Sequence, residues 1–213
     1  MKVLKFGGTS VGSVKGLLQV KKIVESEAED VIVVVSALGG ITDQLQLTSK
    51  LAAAGDSSYV SQWTAMVTRH NELISEIVLP ENRDSVQEQV NILLDELCNI
   101  FKGVSLIRDL SQKTSDLILS YGERMSSAII AGSIAHAVRY DAREFIKTKP
   151  LFNRHVVDFE TTDRLIRERF ADCPHVTVVP GFISTDQASG NTTNLGRGGS
   201  DYTAAIIASA LTA

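Results

Sequence analysis

The chain has 213 residues, 44% of them hydrophobic and 22% charged, with a formal net charge of −4, a composition that fits a globular protein long enough for one well-buried α/β domain. The acidic balance argues against nucleic acid or an anionic membrane as the main partner, since either needs a basic surface. No secretory leader pattern opens the sequence, no apolar run approaches the ~20 residues that span a bilayer, and Cys98 and Cys173 show no CxxC pairing, so a reducing, cytoplasmic setting with free thiols is expected.

Residues 2–6 read as a short apolar strand running into Gly7-Gly-Thr-Ser-Val-Gly12. Such a turn exposes backbone N–H groups, and with a helix behind it forms an anion site. Gly7 and Gly12 have the separation of the GxxxxGK[ST] phosphate loop, but position 13 is Ser where that motif requires Lys, which disfavours a P-loop NTPase. The cation lies upstream instead: Lys5 would point from the strand end toward whatever the glycines hold. Residues 31–37 form a second β-branched run that ends at Gly39-Gly40, and Val14, Leu17, Leu18 and Val24 give an apolar face to a helix between the two runs. The three segments make a βαβ unit, with strands that read as buried on both faces of a parallel sheet.

From Asp43 to about Leu110 the spacing is helical. One stripe runs through Trp63, Met66, His70, Leu73 and Ile77, another through Val86, Val90, Leu93, Leu97 and Phe101, and both are read as helix packing rather than a cofactor box. Gly55–Ser58 and Pro80–Asp84 read as loops. A further helix is expected over about 115–137, capped by Ser115 or Thr114. Residues 142–147 and 175–184 read as strands with a helix over 160–170 between them. A third glycine turn, Gly196-Arg-Gly-Gly-Ser-Asp201, precedes an apolar helix over 202–211. His70, His136, His155 and His175 have no ligand spacing, so each is read as structural, and no protein metal site is expected.

Lys5-Phe-Gly-Gly-Thr-Ser-Val11, Val35-Ser-Ala-Leu-Gly-Gly-Ile-Thr-Asp43, Gly122-Glu-Arg124, Pro180-Gly-Phe-Ile-Ser184 and Leu195-Gly-Arg-Gly-Gly-Ser-Asp-Tyr202 together resemble aspartate kinase, of the amino-acid kinase superfamily, in the family's order from the first residue to the last. The resemblance implies a three-layer αβα sandwich with a mainly parallel sheet, incomplete at its C-terminal side. It also implies transfer of the ATP γ-phosphate to the β-carboxylate of L-aspartate with Mg²⁺, the entry step to lysine, threonine and methionine synthesis. In the family the adenine half of the nucleotide site and a further lysine follow the third glycine turn, regulatory domains come after them, and some members continue into a homoserine dehydrogenase. Residues 1–213 are therefore expected to be the amino-terminal, substrate-binding part of a catalytic domain with a helical insertion at about 43–110. Alone, the fragment is expected to be inactive; the full-length protein is expected to be a homo-oligomer. Asn194 departs mildly from the family, which usually has Thr there.

The chemistry needs no general base, because a carboxylate with a reference pKa near ~4 is already ionised at neutral pH. Its obstacle is the repulsion between two anions, so positioning and electrostatic stabilisation should carry catalysis. Lys5 is the candidate cation, the amides of Gly7 and Gly8 are candidate phosphate donors, and Ser36 with the Gly39-Gly40 turn would line the opposite wall. Arg197 can grip an α-carboxylate through two parallel hydrogen bonds. Glu123 could pair with the α-ammonium, Thr42 could bond a carboxylate oxygen, and Asp201 could orient Lys5 or a magnesium-bound water. Ser200, in the third turn, completes the expected substrate contacts. The competing readings are a kinase for another amino acid and a non-catalytic module that binds an amino acid and regulates another chain.

Overall fold

The computed structural model describes residues 1–152 and 154–213. Strand β1 (Lys2–Phe6) leads through the one-turn helix α1 (Gly8–Val11) into α2 (Val14–Glu25), then β2 (Val31–Val35). Ser13 caps α2, accepting from the Gly16 amide at 3.2 Å, which satisfies one of the donors that a helix N-terminus leaves open. β1 and β2 pair in parallel with Lys5 opposite Val34. The same sheet continues in parallel through β6 (Val176–Pro180) to the short β3 (Val138–Arg139), giving the order β1-β2-β6-β3.

All five β2 residues are buried, and their alternation sorts them between two cores. Val31, Val33 and Val35 join the larger core, whereas Ile32 and Val34 join the smaller one with Ile206 and Ile207 of α9 (Gly199–Leu211). Successive strand side chains point to opposite faces, so one valine-rich strand anchors both helical layers. The larger core takes α2 and the helices α3 (Ile41–Ala53), α4 (Tyr59–Ile77), α5 (Arg83–Ile107) and α6 (Gln112–Ser133). The smaller takes α7 (Ala142–Phe145), α8 (Phe159–Arg169) and α9. The result is the expected α/β architecture with helices on both faces.

A second sheet extends it. β4 (Lys147–Leu151), β5 (Arg154–Val157), β7 (Ile183–Asp186) and β8 (Thr192–Asn194) pair in the order β5-β4-β7-β8, antiparallel except for β4 with β7. Its interior includes hydroxyl pairs, Thr148 with Thr193 at 2.8 Å and Ser184 with Thr193 at 2.9 Å.

The helical stripes pack as their spacing predicts. Val86, Val90, Leu93, Leu94, Leu97, Phe101 and Val104 of α5 are all buried, and His70 is buried on α4, its Nδ1 donating to the Met66 carbonyl at 2.7 Å. Burial holds the imidazole down to about 4, so His70 is a neutral core residue at physiological pH. The Phe101 ring meets Tyr59 at 6.5 Å between centroids. Phe101→Ala should therefore destabilise the chain by about 3–5 kcal/mol, while Leu106→Ala on the same helix should stay within ~0.5 kcal/mol, because Leu106 is 85% exposed. Urea denaturation of the two variants checks this; equal losses would contradict the packing described.

Four sequence readings shift, the first being residues 175–184, read as one strand, which divide at Gly181-Phe182 into β6 and β7 of different sheets. The α6 helix starts at Gln112 with Ser111 as its cap, which accepts from the Thr114 amide at 3.2 Å, and it stops at Ser133. Ile134 is extended and His136 has φ 59°, which ends the helix before 137. Residues 142–145, read as strand, are the short helix α7 capped by Asp141, with β4 beginning only at Lys147.

Candidate active site

The three glycine turns converge. A cavity of about 350 Å³ is lined by Lys5 and Gly8 from the first, Ser36, Gly39, Gly40 and Thr42 from the second, and Arg197, Ser200 and Asp201 from the third, with Glu123 of α6 between them. Strand ends of a parallel sheet begin this: β1, β2 and β6 are in register, so their carboxyl ends open on the same side, where α/β sheets bind ligands. The third turn, which follows β8 of the second sheet, joins them where the Leu195 amide donates to the Phe182 carbonyl at 2.8 Å.

The first two turns touch backbone to backbone. A Cβ at Gly39 would lie 2.9 Å from the Gly8 carbonyl oxygen, and one at Gly8 would lie 3.1 Å from that of Ala37, so side chains are excluded and main-chain groups line that wall. Arg69 of α4 braces the first turn by donating to the Gly12 carbonyl at 3.1 Å. Lys5 reaches over the turn from β1: its Nζ would be 3.3 Å from a Cβ at Gly7, and it pairs with Asp201 Oδ1 at 3.0 Å. Gly7 caps α1 beneath the Lys5 ammonium and does not line the cavity, unlike Gly8.

Glu123 is held by α6. Ser126 on the same helix donates to the Ser36 carbonyl at 2.7 Å, tying α6 to the end of β2. The Glu123 carboxyl is buried, its Oε2 has no hydrogen-bond partner among the described residues, and burial pushes its pKa up to about 8 against the pull of the Ala37 amide. A buried acceptor left open in a cavity is costly unless something donates to it; an ammonium group would do so.

Arg197 stands exposed on the rim between Gly196, at φ 77°, and Gly198, at φ 74°. Two left-handed residues in succession around one side chain need glycine and turn Arg197 back over the cavity mouth. Ser200 is buried in the first turn of α9, and Asp201 is beside it.

Phe182 escaped the sequence reading although the Pro-Gly-Phe-Ile-Ser motif contains it. It lines the cavity, has φ 69°, and its amide donates to Thr203 Oγ1 at 3.0 Å. A bulky residue at positive φ is strained, a feature that collects at functional sites. Phe182 also lines an adjoining open groove of about 1090 Å³ together with Asp43, Gly196 and Arg197. Spacing alone carries no signal for a φ angle, which is why this residue was missed.

A parallel sheet with two glycine turns at its carboxyl ends and a third beside them, with a lysine above one turn and an arginine on another, frames the cavity. Residues 1–213 match the model of the Amino acid kinase family, and the chain belongs to that family. Within it, the chain is similar to aspartokinases: it is 30% identical to Aspartokinase 1, chloroplastic, of Arabidopsis thaliana over 98% of its own length and 38% of that protein. With Lysine-sensitive aspartokinase 3 of Escherichia coli (strain K12) it shares 29% identity over 98% of its length and 46% of the relative. Among solved structures, E. coli aspartokinase III in complex with aspartate and ADP superposes with a TM-score of 0.86 at 28% identity, covering 99% of this chain and 47% of that one. Clostridium acetobutylicum aspartate kinase gives 0.80 at 26% identity, with 99% and 45% covered. The chain thus spans less than half the length of these relatives.

Proposed function

We propose that this chain is the amino-terminal, substrate-binding part of an aspartate kinase catalytic domain, in a protein that transfers the γ-phosphate of ATP to the β-carboxylate of L-aspartate. The observation that carries the reading is the placing of an exposed guanidinium, Arg197, and a buried carboxyl with one open oxygen, Glu123, on one cavity. An α-amino acid offers the matching carboxylate and ammonium. The aspartate and ADP bound by the E. coli relative support both ligands, and the coverage of the relatives supports a larger protein with its remaining nucleotide contacts elsewhere in the chain. A cytoplasmic, homo-oligomeric protein belongs to the same proposal.

Each residue then has a task. Arg197 receives the α-carboxylate as a planar fork, and Glu123 receives the ammonium, ionising as it does so. Thr42, Ser36 and Ser200 offer hydroxyls that turn the β-carboxylate toward the first glycine turn. Lys5 and the glycines at 8 and 39 fit a phosphate: a cation and two residues without side chains line one cavity. MgATP supplies the phosphoryl group there, and Lys5 offsets the charge that builds as the two anions approach. Asp201 keeps the Lys5 ammonium aimed, and both Asp201 and Asp43 are within the lining, where carboxylates can meet metal-bound water.

Calorimetric titration of the chain with L-aspartate tests the reading. We expect saturable binding, and in Arg197→Lys a loss of roughly 1.5–3 kcal/mol, about tenfold or more in affinity, because an ammonium meets the carboxylate as a point charge. Unchanged affinity, with the fold intact by circular dichroism, would remove Arg197 from the site.

A further inference from the structure

On the outer face of α6, away from the cavity, three arginines crowd a second pocket. Arg124, Arg139 and Arg143 line a space of about 270 Å³ together with Glu96 and Asp141. Both carboxylates are engaged already. Asp141 takes a bidentate grip from Arg143, with Nη2 2.7 Å from Oδ2 and Nε 3.1 Å from Oδ1, and Glu96 accepts from Tyr121 at 3.0 Å and from Arg124 at 3.5 Å. Arg139 is left over. Its Nε donates to Ser127 Oγ at 2.8 Å, but its Nη2 stands 3.8 Å from Asp141, beyond a hydrogen bond.

The pocket's own lining sets three guanidiniums against two carboxylates in a half-buried setting, and the nearby carboxylate of Glu144 is paired with Arg169 at 3.5 Å. Burial, with Arg124 and Arg143 adding repulsion, draws Arg139 below the ordinary guanidinium range even though Asp141 and Glu144 pull the other way. Arg139 also borders a neighbouring pocket of about 180 Å³, whose lining includes the polar side chains of Asn82, Ser85 and Gln89 beside Val86 and Ala131, so the side chain borders two cavities. A guanidinium held by Ser127, with Asp141 beyond a hydrogen bond and a cavity beside it, is suited to two coplanar oxygens.

We propose that Arg139, with Arg124 and Arg143, forms a binding site for a small oxyanion, phosphate or carboxylate, separate from the cavity at the glycine turns. The site does not depend on the kinase reading. Its test is NMR on the ¹⁵N-labelled chain, following the arginine Nε–H signals while inorganic phosphate, and in a parallel arm malonate, is titrated at constant ionic strength set with chloride. The arms tell whether a tetrahedral or a planar oxyanion is preferred. Saturable shifts of the Arg139 Nε–H signal are expected, and in Arg139→Gln the accompanying shifts of the Ser127 and Gln89 amides should need at least roughly tenfold more anion. Arg124→Gln should weaken the same event while Arg197→Lys, at the other cavity, leaves it unchanged. An Arg139 signal that does not move with either anion, or Ser127 and Gln89 shifts that titrate identically in Arg139→Gln, would overturn the proposal.

Discussion

Lys5→Ala, made in the full-length protein, should lower kcat by about 10²–10³-fold and change KM for L-aspartate little. The ammonium sits over the first glycine turn, which on the proposed reading is the phosphate end of the cavity, whereas Arg197 and Glu123 are assigned to the amino acid. Its charge is therefore felt most as the two anions are forced together, in the transition state. Steady-state kinetics separates the two effects. Equal kcat for variant and parent would show that Lys5 only pairs with Asp201, at 3.0 Å, and plays no part in transfer.

Glu123→Gln should move stability and binding in opposite directions. The carboxyl has its pKa raised by burial from 4.5 to about 8, so below pH 4.5 it is neutral in both the folded and unfolded chain and costs nothing. Between 4.5 and 8 the unfolded chain releases the proton while the folded chain keeps it. Stability therefore falls as pH rises, by up to about 1.4 kcal/mol per pH unit from this one group, and the full cost is present above 8. Glu123→Gln removes that slope. Thermal melts should coincide for variant and parent near pH 4 and separate toward pH 8, with the variant higher. Aspartate affinity should fall roughly tenfold to a hundredfold, since a charged acceptor for the ammonium is lost. In the parent near pH 7, binding should also release a proton from Glu123, seen as a heat that changes with buffer ionisation enthalpy. A variant less stable than the parent at pH 8 would mean that Glu123 is satisfied in the free chain.

The balance between what the sequence disclosed and what it hid follows from the kind of contact involved. The five-residue run Val31–Val35 announces a doubly buried strand because it has no polar face, and the structure divides it between two cores as that requires. Glycine turns brought Lys5, Ser36, Arg197 and Asp201 to notice before any geometry, the family resemblance added Glu123, and one cavity collects them. The second sheet was hidden because part of its interior is held by Thr148, Thr193 and Ser184 hydroxyls, and hydrophobic periodicity does not register a polar interior. Ala142–Phe145 was misread for a related reason: four residues satisfy strand and helix spacing alike, and the deciding element is the Asp141 carboxylate that accepts from the Arg143 amide at 3.1 Å. The oxyanion pocket could not be anticipated, since Arg124, Arg139 and Arg143 come from separate segments and only the fold assembles them.

The most direct measurement on the central claim is acyl-phosphate trapping: the full-length protein is incubated with MgATP, hydroxylamine and one amino acid at a time. L-Aspartate should give aspartyl hydroxamate at a rate that saturates with its concentration, L-glutamate should give far less, and Lys5→Ala should suppress the product. ATP consumption without hydroxamate, or an equal yield from L-glutamate, would contradict the assignment of L-aspartate as the phosphoryl acceptor.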